Sequence, residues 1–185
     1  EVVHKTGYRD VEVETIQKIL DSHSGQNLKH FSYCGNYGDP FMHPKVYDII
    51  SMISSYGITQ RFDTNGGMRT PKFWSEVGKI PGVKVNFAID GLEDTNHIYR
   101  VRTQWHKIMA NAEAYIKSGG YADWIMIIFS HNEHQIEEAN ILSKKMGFKS
   151  FNTKISTRGF NLSDQKRYEP ALKEIKVPKN KKYQP

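Results

Sequence analysis

Five short apolar runs, each followed by polar turn residues and a helix-like stretch, constrain this chain more than any other feature of its sequence. The first covers residues 29–34 (KHFSYC). After it come GNYGDP and a helical stretch in which Val46, Ile49, Ile50 and Ile53 form one apolar stripe. The second, residues 58–63 (ITQRFD), leads through TNGG to a short helix opened by Thr70 as N-cap and Pro71 at the first helical position. The third, residues 83–89 (VKVNFAI), ends in Asp90-Gly91; its helix is predicted from about Gln104 to Ser118 and closed by Gly119-Gly120. The fourth, residues 124–129 (WIMIIF), is almost continuously apolar, as a strand buried on both faces would be. Beyond SHNEH, a helix through Ile136, Ala139 and Leu142 ends at Met146-Gly147, and the fifth run follows at residues 149–155 (KSFNTKI). A further helix, roughly residues 11–22, precedes the first run.

A strand and then a helix, recurring about every 25–40 residues, describes parallel βαβ units with right-handed crossovers. The class is therefore α/β. A barrel or partial barrel is favoured over an open doubly wound sheet, although periodicity alone leaves both open. Residues 1–157 read as the core, and 158–185 as a polar, basic linker or tail.

Charge and cysteine usage narrow the functional classes. The net charge is +6, but residues 173–185 alone hold five lysines against one glutamate. The excess is thus a tail property, and a basic nucleic-acid-binding surface is poorly supported. One cysteine excludes an internal disulfide framework and any all-cysteine metal site built from this chain alone. No apolar run approaches the roughly 18 residues of a membrane span, so no membrane role is expected. The first residues, EVVHKTGYRD, lack the apolar segment of a signal peptide, and a lone thiol fits a reducing cytoplasm.

In parallel α/β folds, chemistry collects at the carboxyl ends of the strands. Those ends read Cys34-Gly35-Asn36-Tyr37-Gly38-Asp39-Pro40, Asp63-Thr64-Asn65-Gly66-Gly67, Asp90-Gly91 and Ser130-His131-Asn132. Gly35 and Gly38 let the backbone approach a ligand closely. The Asp39 carboxylate suits an ammonium group, and Pro40 stiffens the exit. Taken singly, each is also an ordinary turn.

Their order and spacing resemble the radical S-adenosylmethionine enzymes, whose partial (βα)6 barrel carries a glycine-rich acid motif after its second strand. Residues 35–40 look like that motif, with Asp39 where many members have Glu and with His43-Pro44 following. Thr64-Asn65-Gly66 matches the family's Thr-Asn-Gly, Ala88-Ile89-Asp90-Gly91 resembles its Ser-x-Asp-Gly, and His97 and Arg100 are similar to its downstream His and Arg. The resemblance covers roughly residues 11–157. It implies that Gly35, Asn36, Gly38 and Asp39 hold the methionyl amino group. Asn65 and Asp90 would lie near the methionine or ribose, Asn132 would line the nucleoside pocket, and Arg100 would meet a carboxylate. It also implies a 4Fe–4S cluster and an electron donor such as a flavodoxin or ferredoxin. Reductive cleavage of S-adenosylmethionine would then give a 5′-deoxyadenosyl radical that abstracts hydrogen from an unknown substrate, an oxidoreductase chemistry.

Two departures matter. Ala88 stands where the family often has Ser. The family's CxxxCxxC cluster motif is absent, and thiolate ligation cannot be improvised from one cysteine. Cys34, at a strand end, reads as a small buried residue. The expectation is a fragment, inactive alone, with its first strand and cluster loop upstream of Glu1. Two other readings remain. His131, His134, Glu133, Asp63 and Asp90 could serve a divalent-metal hydrolase, against a polar helix entry with solvated histidines and an N-capping side chain. The 12% aromatic content and the lysine-rich tail could instead serve a non-catalytic binding module.

Overall fold

A computed structural model describes residues 10–22, 27–35, 38–155 and 176–184; Asn36 and most of the expected tail lie outside the described residues. The chain runs α1 (Val13–Asp21), β1 (His30–Tyr33), α2 (Val46–Ser55), β2 (Thr59–Thr64), α3 (Pro71–Gly78), β3 (Val83–Ala88), α4 (Asn96–Tyr99), α5 (Trp105–Lys117), β4 (Tyr121–Ile128), α6 (Ile136–Met146) and β5 (Ser150–Ile155). The punctuation residues act as expected. Thr70 accepts the Phe73 N–H to cap α3, Pro71 opens it, and Gly147 closes α6 in the left-handed conformation at φ 90°.

The five strands form one sheet in the order β1-β2-β3-β4-β5, every neighbouring pair parallel. A doubly wound sheet reverses its strand order at a switch point, and none occurs here. Right-handed crossovers that always step the same way place their helices on one face. The strands record this in their burial. Gln60 and Phe62 of β2, Val83, Val85 and Phe87 of β3, and Ala122, Trp124, Met126 and Ile128 of β4 are buried, while the residues between them are half-buried or exposed. The architecture is thus a partial, open barrel of the α/β class.

The fourth apolar run is corrected by this alternation. It is not buried on both faces, because Ile125 and Ile127 are only half-buried, on the side that no described helix covers. The strand also starts three residues before the apolar run, at Tyr121. Asp123, which interrupts the hydrophobic pattern, sits on the open face and accepts the Ser150 hydroxyl at 2.6 Å.

On the covered face, Trp74 of α3 is the hub of the main core. Its ring lies 4.2 Å from Phe41 and 5.2 Å from Phe87, and it meets Tyr115 edge-on at 5.9 Å. A smaller cluster, Ile16, Leu20, Ile49, Ile53 and Ile58, seals α1 and α2 against the sheet. No helix among the described residues is long and apolar enough to cross a membrane. Trp74→Ala is expected to cost about 3–5 kcal/mol, since it empties the centre of the aromatic cluster. Urea unfolding of the two proteins checks this, and a loss under 1 kcal/mol contradicts the hub role.

Candidate functional site

The carboxyl ends of β1 and β2 carry the two glycine turns singled out in the sequence, and one carboxylate ties them together. Asp39 Oδ1 accepts the Phe41 N–H at 3.0 Å and caps the short turn Pro40–Met42. Its Oδ2 accepts the Thr64 hydroxyl at 2.6 Å and the Asn65 N–H at 3.1 Å. Thr64 Oγ1 in turn accepts the Gly66 N–H, and Asn65 Oδ1 the Gly67 N–H. Gly66 holds φ +72°, and a Cβ there would lie 2.8 Å from the Phe87 ring, so no side chain fits.

Arg69 closes the same joint from outside, donating Nε to Phe41 O at 2.8 Å and a terminal nitrogen to His43 O at 2.5 Å. His43 Nδ1 accepts the Lys45 N–H, which leaves Nε2 to donate to Val11 O just ahead of α1. The result is two turn segments joined by one carboxylate, with exposed backbone at Gly35 and Gly38 and a buried Gly66. Gly35 and Gly38 are exposed, Gly38 sits at φ +146°, and a Cβ on Gly35 would come within 3.3 Å of Gly38 O. Asn65 Nδ2 has no partner among the described residues.

A second joint forms at the ends of β3 and β4. Asp90 is fully buried; its carboxylate accepts Arg100 Nε and the Ile127 N–H, each at 2.6 Å. Its own N–H donates to Asn96 Oδ1, and its carbonyl accepts Asn132 Nδ2 at 2.8 Å. Asn132 is also fully buried: Nδ2 donates a second bond to Ile127 O, and Oδ1 accepts the Phe129 N–H. Burial pushes the Asp90 carboxyl above its ordinary 3.8, against the pull of Arg100 and the Ile127 N–H. Arg100 keeps 23% of its side chain exposed, and its terminal nitrogens make no hydrogen bond among the described residues.

The structure therefore gathers Gly35, Gly38, Asp39 and Asn65 into one edge. It places Asp90 and Asn132 beneath a neighbouring edge without exposed surface, with Arg100 reaching out from it. Cys34 is exposed, which corrects the buried reading, because β1 ends at Tyr33 and the following residue leaves the core. The metal-hydrolase reading is also overturned: among the described residues no group of three His, Cys, Asp or Glu side chains can hold a metal. His131 is not a solvated helix entry either. It stacks on Phe129 at 5.3 Å, and both its ring nitrogens are buried without partners. Asn132 caps nothing with its side chain, because that amide is spent on the Asp90 joint.

Sequence reasoning missed Thr64 and Arg69 as the partners that fix the turns, and Glu133 as an anchor. Glu133 accepts the backbone N–H groups of Lys179 and Asn180, while the Ser130 N–H donates to Lys176 O. A short length of the expected tail thus packs beside the loop after β4.

No protein family and no curated protein matches the chain. Among solved structures it is similar to SuiB of Streptococcus suis bound to S-adenosylmethionine, with a TM-score of 0.67 and 13% identity over 90% of this chain and 42% of SuiB. It is also similar to anSMEcpe with bound AdoMet (0.57, 16%, covering 89% and 50%) and to TYW1 with a lysine-pyruvate adduct bound (0.54, 15%, covering 87% and 56%). The chain spans about half the length of these proteins. The shared fold is the partial barrel implied by the sequence resemblance.

The raised Asp90 value has a definite consequence for stability. The folded state holds this proton more tightly than the unfolded state, so the contribution is full below 3.8 and falls as pH rises through the folded value. Asp90→Asn does not titrate. The stability gap between parent and variant is expected to be largest in acid and to narrow toward neutrality, as read by urea unfolding at several pH values. A gap that widens with pH would mean that attraction to Arg100 outweighs burial.

Proposed function

We propose that the chain is the cofactor-facing part of a radical S-adenosylmethionine enzyme. The observation that carries this reading is the joint at the carboxyl edge of the parallel sheet, where Asp39 ties the exposed backbone of Gly35 and Gly38 to the turn at residues 64–67. Two of the structural neighbours named above are proteins with S-adenosylmethionine bound, which supports it.

The residues present fit that cofactor. A Cβ on Gly35 would press on Gly38 O at 3.3 Å, and Asn65 Nδ2 has no partner among the described residues. The exposed backbone of Gly35 and Gly38, with Asn36 between them, offers carbonyls to the methionyl ammonium group. Asp39 holds both turns at the right separation and adds negative charge beside that group. Asn65 Nδ2 donates to the methionine or ribose, and the terminal nitrogens of Arg100 meet the carboxylate. Asp90 and Asn132 act by position: Asp90 aims Arg100, and Asn132 pins the Asp90 backbone. Bound S-adenosylmethionine supplies the cleavable 5′ carbon–sulfur bond in this class.

A 4Fe–4S cluster does not fit the residues of this chain. Its ligation takes several thiolates, and Cys34 is the single thiol in the sequence. Cluster ligands, the electron donor and hydrogen abstraction therefore belong to the proposed whole enzyme.

Amide spectra of the chain titrated with S-adenosylmethionine test the reading. Shifts are expected at residues 35–39 and 64–67, and Asp39→Ala should weaken binding about tenfold or more by releasing both turns. Saturating cofactor that leaves both turns unshifted defeats the proposal.

A further inference from the structure

The sheet face that no helix covers among the described residues carries an arrangement that folding alone does not explain. One row across it, set by the strand register, reads Ser32, Arg61, Lys84 and Tyr121. Arg61 and Lys84 are exposed on adjacent strands about 4.8 Å apart. Like charges directly opposite each other destabilise a sheet. Neither has an ion-pair partner: the pairs among the described residues are Lys79–Glu76, Arg100–Asp90 and Lys117–Glu113. Lys84 lies 4.9 Å over the Tyr121 ring, and Arg61 makes no contact of this kind.

Carboxylates stand close by but are not turned to these cations. In the next row toward the carboxyl ends, Asp63, Asn86, Asp123 and Ser150 lie side by side. Asp63 Oδ1 accepts Asn86 Nδ2 and Asp123 Oδ1 accepts the Ser150 hydroxyl, both at 2.6 Å. The second oxygen of each carboxylate is without a partner among the described residues. The face is therefore bipolar, with two unpaired cations in one row and two half-used carboxylates about 7 Å further along the strands.

We infer that the Arg61–Lys84 pair is the carboxylate subsite for a zwitterionic, amino-acid-like or peptide-terminal substrate lying on this face, with its N–H groups directed to Asp63 and Asp123. This deepens the proposed function and rests on it, adding that the substrate lies on the open side of the barrel. A carboxylate is favoured over a phosphate because a dianion would sit within about 7 Å of two acids and be repelled by both.

The chain, labelled for amide spectra, is titrated with glycylglycine, with its C-terminal amide and with inorganic phosphate, and its Tm is followed in parallel. Glycylglycine is expected to shift residues 60–62 and 84–86 and to raise Tm. The amide and phosphate should do neither at the same concentration. Arg61→Gln and Lys84→Gln should each weaken the glycylglycine response tenfold or more, yet melt no lower than the parent, because each relieves a like-charge contact.

Variants that melt clearly lower would make the pair a structural device and overturn the assignment. So would an equal response to the amide, or tighter binding of phosphate, which would point to a phosphorylated ligand. S-adenosylmethionine shifts at residues 64–67 are read in the same spectra. Their loss with the glycylglycine response intact sinks the cofactor reading alone, and the reverse pattern sinks this one alone.

Discussion

All of the strands step across the sheet in one direction, and the rest of the molecule follows from that constraint. Because each crossover is right-handed and the order never reverses, α2, α3 and α5 collect on one side and build the aromatic core around Trp74. Among the described residues, the other side is left without helices. A parallel sheet ordinarily hides both faces. Here the uncovered face is tolerated because its side chains are Arg61, Asp63, Lys84, Asn86 and Asp123, which favour water. A core on one side and a polar surface on the other turn the carboxyl edge into a rim where loops can be held above an open floor.

The rim is stiffened by two buried or half-buried carboxylates that work in the same way. Asp39 spans the turns after β1 and β2, and Asp90 spans the ends of β3 and β4. Asp39 accepts two backbone N–H groups and the Thr64 hydroxyl, and Asp90 one backbone N–H and Arg100, so loops distant in sequence are set by charge-assisted hydrogen bonds. The two differ in exposure. Asp39 is half-buried beside bare glycine backbone, whereas Asp90 is sealed and expresses itself through Arg100. One acid therefore lies beside exposed backbone, and the other holds a partly exposed cation.

Much of this was legible in the residues. The βα alternation, the Thr70-Pro71 start of α3, the Gly147 stop of α6 and the glycine turns rest on local chemistry that a few neighbouring residues dictate. The burial of β4 was not legible: Trp124, Ile125, Met126 and Ile127 are all apolar, and only the one-sided placement of helices separates buried from half-buried positions. Cys34 misled for the same reason, since its exposure depends on where β1 leaves the core. The partners of Asp39 and Asp90 lie 25 and 37 residues away, at Thr64 and Ile127, and no local pattern announces them. The buried, partnerless nitrogens of His131 likewise arise from packing against Phe129.

The amino-acid sequence by itself determined the α/β class, the places where the chain turns, and the residue types available at each strand end, because propensity, capping and glycine conformations act within a few residues. Tertiary structure alone decided which sheet face is open, which carboxylates are consumed as joints and which cations remain unpaired. Those outcomes depend on strand register and on contacts between distant segments, where burial and hydrogen bonding are settled only once the whole sheet has assembled.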